Sequence, residues 1–278
     1  MFLTSPATSG WQIPLFATAL FLFVGAASAQ PASTEEEYSR PLLDVPYVPT
    51  SEETVHRMLE LADVQSEDYL IDLGSGDGRI VVAAARDWGV QRALGIDLDP
   101  ERITEANANA KAAGVEDRVR FEQGDLFDKD FSDADVLTMY LLPTVNLRLR
   151  PVILEDLRPG TRVVSHAFDM GDWAPDKTIV VNSRNVYKWV VPARVGGTWT
   201  VTDADGKTFT IELKQEYQTV GGTAVIERRV FPLAYASLNG SRLDFTVQGK
   251  HYSGEVDGDR IHASTGKLVE SGWHAQRM

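Results

Sequence analysis

The chain has 278 residues, 43% of them hydrophobic and none of them cysteine, which gives apolar material for one large domain or two small ones and excludes disulfides, thiolate metal sites and a cysteine nucleophile. A net charge of −13 disfavours a polyanionic partner, and five histidines scattered without ligand spacing predict no metal site.

Residues 1–29 contain no charged side chain. Ile13 to Val24 is an apolar run of signal-peptide length, and Ala27-Ser28-Ala29 supplies a small-residue cleavage pattern, with Gln30 as the new N-terminus. The run predicts an exported protein, periplasmic or secreted; the alternative is a membrane tether by an uncleaved segment. Residues 30–45 read as a polar, proline-containing linker. Pro46-Tyr47-Val48-Pro49 is then extended by its prolines, and Thr50 with Glu53 three residues on predicts a capped helix. Val55, Met58, Leu59 and Ala62 form its apolar stripe, and His56 falls on its surface.

Tyr69 to Leu73 predicts a short buried strand, and Arg79 to Trp88 a helix. Between them lies Gly74-Ser75-Gly76-Asp77-Gly78. A strand, a glycine turn and a helix bind an adenosine cofactor at the carboxyl edge of a parallel sheet. The spacing differs from the G-x-G-x-x-G of dinucleotide turns, and Asp72 and Asp77 would repel a pyrophosphate. They suit a ligand with an ammonium group and a sulfonium centre, which is S-adenosylmethionine. Asp72-Leu73-Gly74-Ser75-Gly76-Asp77-Gly78 resembles the first motif of class I methyltransferases.

The next segments fall in register with that resemblance. Ala93 to Asp97 predicts a second strand ending in a carboxylate 25 residues after Asp72, where an acidic residue accepts both ribose hydroxyls. Leu98 and Asp99 follow, and Pro100 opens a helix that Gly114 ends. Val119 to Gln123 is a third strand, with Gly124-Asp125-Leu126 at its end. The resemblance puts the adenine there, Asp125 accepting from the exocyclic amine and Leu126 covering the ring. Ala134 to Tyr140 is a fourth strand, Val145 to Leu157 a helix and Thr161 to Ala167 a fifth strand. Thr178–Asn182 and Val186–Val191 close the count at seven as a hairpin. The expected fold is therefore α/β, a Rossmann-like seven-stranded sheet.

Pro46-Tyr47-Val48-Pro49-Thr50, the stretch Asp72 to Val82 and the end of the fourth strand together resemble a narrower group. It is the lysine N-methyltransferase family that includes the mitochondrial enzymes acting on the adenine nucleotide translocase and the ATP synthase c subunit. The resemblance spans residues 46–193. It implies methyl transfer to a lysine or small amine, and it adds Tyr47, Thr50, Ser75, Leu98 and Tyr140 to the cofactor site. The Asn/Asp-Pro-Pro-aromatic motif of nucleobase-modifying relatives is replaced by Tyr140-Leu141-Leu142-Pro143, which argues against a nucleobase acceptor. Tyr140 and Asp72 are the candidates for orienting or deprotonating an amine, with His166 a more distant one.

Residues 194–278 differ in kind. Thr198–Val201, Phe209–Leu213, Thr223–Val230, Arg242–Val247, His251–Val256 and Arg260–His262 read as short strands. Asp205-Gly206, Asn239-Gly240 and Asp257-Gly258 mark turns between them. The pattern predicts an antiparallel β-sandwich or small barrel that docks a partner protein, shapes the acceptor site or holds a dimer. This part holds ten basic and ten acidic residues, while residues 30–193 hold 17 and 30 and carry the whole excess. An acidic mouth favours a cationic acceptor over nucleic acid. The competing function is a methyltransferase-like module that binds cofactor without turnover.

Overall fold

A computed structural model describes residues 47–264 and 269–278. The expected signal peptide, the linker and Pro46 lie outside the described residues. No helix among those described is long and apolar enough to cross a membrane.

The first helix, α1 (Glu52–Leu61), is capped by Ser51, whose side chain accepts from the Thr54 amide at 3.2 Å. This corrects the expected Thr50 cap. Thr50 is buried and its hydroxyl lies 3.2 Å from His166 Nδ1, so it is committed elsewhere. The stripe of Val55, Met58, Leu59 and Ala62 is buried as expected, and His56 is exposed beside Trp88.

The chain then alternates β1 (Tyr69–Leu73), α2 (Arg79–Asp87), β2 (Arg92–Asp97), α3 (Pro100–Ala112) and β3 (Val119–Gln123). It continues through β4 (Val136–Met139), α4 (Pro143–Asp156) and β5 (Arg162–His166) to the hairpin β6 (Lys177–Val181) and β7 (Arg184–Val190). Helix α4 starts two residues earlier than predicted, because Pro143 sits in its first turn where no amide hydrogen bond is needed. The seven strands order as β3-β2-β1-β4-β5-β7-β6, with β7 antiparallel to β5. One apolar cluster packs α1 and α2 on one face of the sheet, and a second packs α4, Trp173 and Trp189 on the other. Since β1, β2, β4 and β5 are parallel, Leu73, Asp97, Met139 and His166 end at one edge. The switch in strand order between β1 and β4 leaves a crevice there.

A second sheet follows. Its strands are β8 (Gly197–Thr202), β9 (Thr208–Glu216), β10 (Thr219–Ile226), β11 (Arg229–Pro232) and β12 (Ala234–Asn239), then β13 (Arg242–Val247), β14 (Lys250–Asp257), β15 (Arg260–Ala263) and β16 (His274–Arg277). They order as β11-β10-β9-β8-β16-β15-β14-β13-β12, and β12 returns beside β10, so the sheet is nearly closed around its own core. The predicted strand Thr223–Val230 is in fact a hairpin. Glu227 and Arg228 both take left-handed conformations, φ 49° and 66°, as a two-residue turn requires. Neither residue advertises a turn. Strands β12 and β16 are also additions to the sequence reading; β16 is the bridge between β8 and β15.

The expected boundary between residues 193 and 194 falls in the connection from β7 to β8, but the two sheets belong to one compact unit. At one contact the Ala193 amide donates to Gly240 O at 2.8 Å, and a Cβ on Gly240 would stand 2.9 Å from Gly160 Cα.

Candidate active site

The glycine turn is held by the end of β2. The Gly74 and Ser75 amides both donate to Ile96 O, at 2.8 and 3.0 Å. Gly74, Gly76 and Gly78 all have positive φ (73°, 54° and 76°), which side chains rarely adopt. A Cβ on Gly76 would lie 2.4 Å from the Tyr47 ring, so Tyr47 lies directly over the turn. The guanidinium of Arg102 stands 4.9 Å from the centre of that ring.

Gly78 has a different place from its neighbours. It caps α2, and a Cβ there would meet Phe121 at 2.6 Å and Ala106 at 2.9 Å. It lets helix and sheet approach, and it is not among the residues that line the cleft. The other sequence-predicted residues come together. Tyr47, Thr50, Asp72, Gly74, Ser75 and Gly76 line one cleft at the carboxyl edge of the sheet. Asp77, Asp97, Leu98, Asp125, Leu126 and Tyr140 complete it.

The carboxylates differ in environment. Asp72, on β1, is fully buried and accepts from Thr138 Oγ1 at 2.7 Å. Burial pushes its carboxyl up to about 7, against the Thr138 hydrogen bond and with help from the negative charges of Asp97 and Asp77. A group poised this way gains most from a cation placed beside it. Asp77 is committed to Arg79, which donates from Nε at 2.9 Å and Nη2 at 2.6 Å. Burial raises the Asp77 carboxyl, but the bonds and charge of Arg79 outweigh it and hold the group below the usual range. Arg79 also donates to Thr50 O at 2.6 Å, so one ion pair fastens the 47–50 strap to the glycine turn. The positive charge of Arg79 at the turn is therefore neutralised by Asp77.

Asp97, at the end of β2, accepts from the Gly76 amide at 2.7 Å and from the Asp99 amide at 2.9 Å. Each oxygen thus carries one backbone bond and keeps a lone pair. Asp99 caps α3 by accepting from the Glu101 amide at 2.8 Å, and it too lines the cleft. Asp125 is exposed beyond β3, with one oxygen accepting from the Phe127 amide at 2.9 Å, and Leu126 is half-buried beside it. At the other end Tyr140 follows β4. Its ring centre is 4.0 Å from that of His166 and 6.2 Å from that of Phe168. Burial, with Arg184 nearby, lowers His166 to about 4, so it is neutral at pH 7. Arg79, Asp99, Arg102 and Phe127 were missed as lining residues. The signal for Arg79 was its position two residues after Asp77 at the mouth of the turn.

The residues fit S-adenosylmethionine. Gly74 and Gly76 present backbone alone to the cleft, and a buried carboxylate lies beside them with no cation partner in hydrogen-bond reach among the described residues. Asp97 keeps lone pairs for hydroxyls, and an apolar side chain adjoins a carboxylate where a purine would lie.

Comparison with known proteins agrees. The family described as ANTKMT methyltransferase domain matches residues 72–177. A protein-lysine N-methyltransferase of Saccharolobus islandicus is 47% identical over 151 residues, which are 53% of this chain and 94% of that protein. The mouse adenine nucleotide translocase lysine N-methyltransferase is 33% identical over 54% of this chain and 64% of its own length. A solved structure from Salinibacter ruber, described as an RNA methyltransferase in complex with S-adenosyl-L-homocysteine, is 57% identical. It superposes with a TM-score of 0.52 over 53% of this chain and 96% of that one.

Fold, cleft and comparisons together define a class I methyltransferase that uses S-adenosylmethionine. More narrowly, the chain belongs to the family of the Saccharolobus protein-lysine N-methyltransferase. Among the described residues no cluster of three or more histidine, cysteine or acidic side chains could hold a metal.

Proposed function

We propose that this protein transfers a methyl group from S-adenosylmethionine to the ε-amine of a lysine in a protein acceptor. The observation that carries this reading is the match with the lysine-modifying relatives through the glycine turn and the strand ends around it. The bound cofactor supplies the electrophilic methyl carbon and its own leaving group. The protein has to bind, align and exclude water.

Asp72 would face the cofactor's ammonium, and the backbone of Gly74 and Gly76 would lie against its methionine part. Asp97 would accept both ribose hydroxyls, while Asp125 and Leu126 would hold the adenine. Tyr47 closes over the turn, with Thr50 and His166 fixing the strap that carries it. Tyr140 orients the incoming nitrogen at the acceptor end. The lysine nitrogen would reach the methyl with its proton already released to solvent, and the residues of the cleft would hold it in line. His166 is neutral and already bonded to Thr50, so its part is to position the Tyr140 ring.

The Salinibacter relative is described as acting on RNA, so acceptor class needs a physical argument. Residues 30–193 carry 17 basic and 30 acidic side chains. A phosphate backbone would meet net repulsion, whereas a lysine would be drawn in. The apolar run and Ala27-Ser28-Ala29 further support export, with Gln30 as the first residue of the mature chain. Mass spectrometry of protein from the native host should find that terminus; an intact Met1 would refute export by cleavage.

The deciding experiment incubates the full chain with methyl-labelled S-adenosylmethionine and, in parallel, lysine-rich protein and purified RNA. Label recovered as methyl-lysine supports the proposal. Label recovered only in RNA overturns it.

A further inference from the structure

The loop from Ala167 to Asp176 leaves β5 at the carboxyl edge of the sheet, and its second residue packs on Tyr140, which lines the cleft. Ala167 is held left-handed at φ 66°, and the Phe168 ring stacks on Tyr140. Helix α4 grips this loop from one side. Asn146 donates to the carbonyls of Phe168 and Asp169 at 3.2 Å each, and Arg150 donates to Met170 O at 2.8 Å and pairs with Asp172.

The other grip comes from the second sheet. The two-residue turn between β9 and β10 is Tyr217-Gln218, with Tyr217 left-handed at φ 52°. Gln218 Oε1 accepts from Trp173 Nε1 at 2.9 Å, and its Nε2 donates to Ala174 O at 2.7 Å and more weakly to Asp176 Oδ1 at 3.4 Å. The Tyr217 ring stacks on Trp173 with centres 6.1 Å apart. Trp173 is fully buried, and its carbonyl accepts from Trp189 Nε1 at 2.8 Å. The turn itself is braced, since Gln215 Nε2 donates to Tyr217 O and to Ala193 O, at 2.7 and 2.8 Å.

We infer that Gln218 and Tyr217 are positioning residues for methyl transfer: the β9–β10 turn fixes the loop after β5, and through Phe168 it fixes Tyr140 at the acceptor end of the cleft. The second sheet is then a working part of the catalytic unit. The inference rests on the acceptor end lying at Tyr140, as in the proposed function. It predicts a split. Residues of the turn touch no part of the glycine cradle, so their loss should harm acceptor turnover and spare cofactor binding.

The test compares full-length wild type with Gln218→Ala, Tyr217→Ala and Tyr217→Phe, using Asp205→Ala in the distant β8–β9 turn as control. Hydrogen exchange is measured over residues 138–142 and 166–176. Affinity for S-adenosylmethionine comes from calorimetry, and kcat and KM from labelled methyl transfer to poly-L-lysine. Gln218→Ala should lower protection of 166–176 roughly tenfold, the scale of a lost, partly buried hydrogen bond. It should lower kcat/KM for poly-L-lysine by a similar factor with cofactor affinity within twofold. Tyr217→Phe keeps the ring and should stay near wild type, whereas Tyr217→Ala should follow Gln218→Ala. Unchanged exchange in Gln218→Ala overturns the inference. So does a parallel fall in cofactor affinity, which would mark general loosening. A wild type that leaves poly-L-lysine unlabelled counts against the acceptor class alone, because exchange still decides whether the turn holds the loop.

Discussion

Replacing Asp97 by Ala should damage both the cofactor site and the fold around it. From sequence, the carboxylate at the open edge of the sheet should contribute little to stability. The structure changes that expectation, because Asp97 ties the Gly76 amide at 2.7 Å and the Asp99 amide at 2.9 Å. A hydrogen bond to a charged group contributes roughly 1.5–3 kcal/mol. Gly76 is buried and Asp99 half-buried, but both line the open cleft, where water can partly replace the lost acceptor, so a net cost of about 1.5–3 kcal/mol is expected for the pair. For a chain of this size that lowers the melting temperature by roughly 3–12 °C. Losing the ribose acceptor and loosening Gly76 should also weaken S-adenosylmethionine binding about ten- to a hundredfold, at one factor of ten per 1.4 kcal/mol or so. Asp97→Asn should do nearly as much harm, since one of its two backbone donors would face an amide nitrogen. Asp99→Ala is the comparison. It removes an α3 cap at a cost of about 1 kcal/mol and should leave binding within a few-fold. Calorimetric titration and thermal melts of the three variants provide the check. If Asp97→Ala and Asp99→Ala bind the cofactor alike and as well as wild type, the ribose assignment at the end of β2 is wrong.

Gly76→Ala should abolish measurable cofactor binding by equilibrium dialysis while the chain still folds, because its Cβ would stand 2.4 Å from the Tyr47 ring at a φ of 54°; binding within twofold of wild type would exclude close backbone approach at Gly76. Asp72 sets a pH dependence: its folded carboxyl titrates near 7, above the ordinary 3.8, so the unfolded chain binds fewer protons between about pH 4 and 7. Stability of the cofactor-free protein should therefore fall as pH rises through that window, by up to about 1.4 kcal/mol per unit from this group, and level off above it. Cofactor affinity should move the opposite way over pH 5.5 to 7, because the bound ammonium favours the carboxylate, and Asp72→Asn should flatten both curves. Raised ionic strength should slow methylation of a cationic acceptor; acceleration by salt would contradict attraction by an acidic mouth.

The cofactor half of the site was legible because its signals are local. Three glycines in five residues, the carboxylate ending β2 and the acidic turn after β3 each announce themselves within a few positions. Gly78 read the same as Gly76, yet one makes room for Phe121, a contact contributed by β3 some forty residues on, and the other for Tyr47 over the cleft. Thr50 looked like a helix cap because caps are recognised by spacing; its true partner, His166, is 116 residues away. Turn chemistry failed where ordinary residues took left-handed conformations, at Glu227 and Arg228, so one predicted strand proved to be two. Strand β16 had too few residues to show alternation, and its position between β8 and β15 follows from closing the second sheet.

That second sheet explains an asymmetry in the cleft. The cofactor end is built from one contiguous α/β unit, where strand ends, the glycine turn and the Arg79 to Asp77 pair hold each other within residues 47–126. The acceptor end draws on more distant parts of the chain. Tyr140 leans on His166 and Phe168, the loop beyond them hangs from Asn146 and Arg150, and its far end is fastened by Gln218. The Saccharolobus and mouse relatives align over only about half of this chain. The half shared with relatives holds the cofactor cleft, while the second sheet, neutral in charge beside an acidic partner, would on the inference above act on the acceptor end. On the inference drawn above, contacts such as Trp173 with Gln218 would act on the acceptor end without touching the cofactor site.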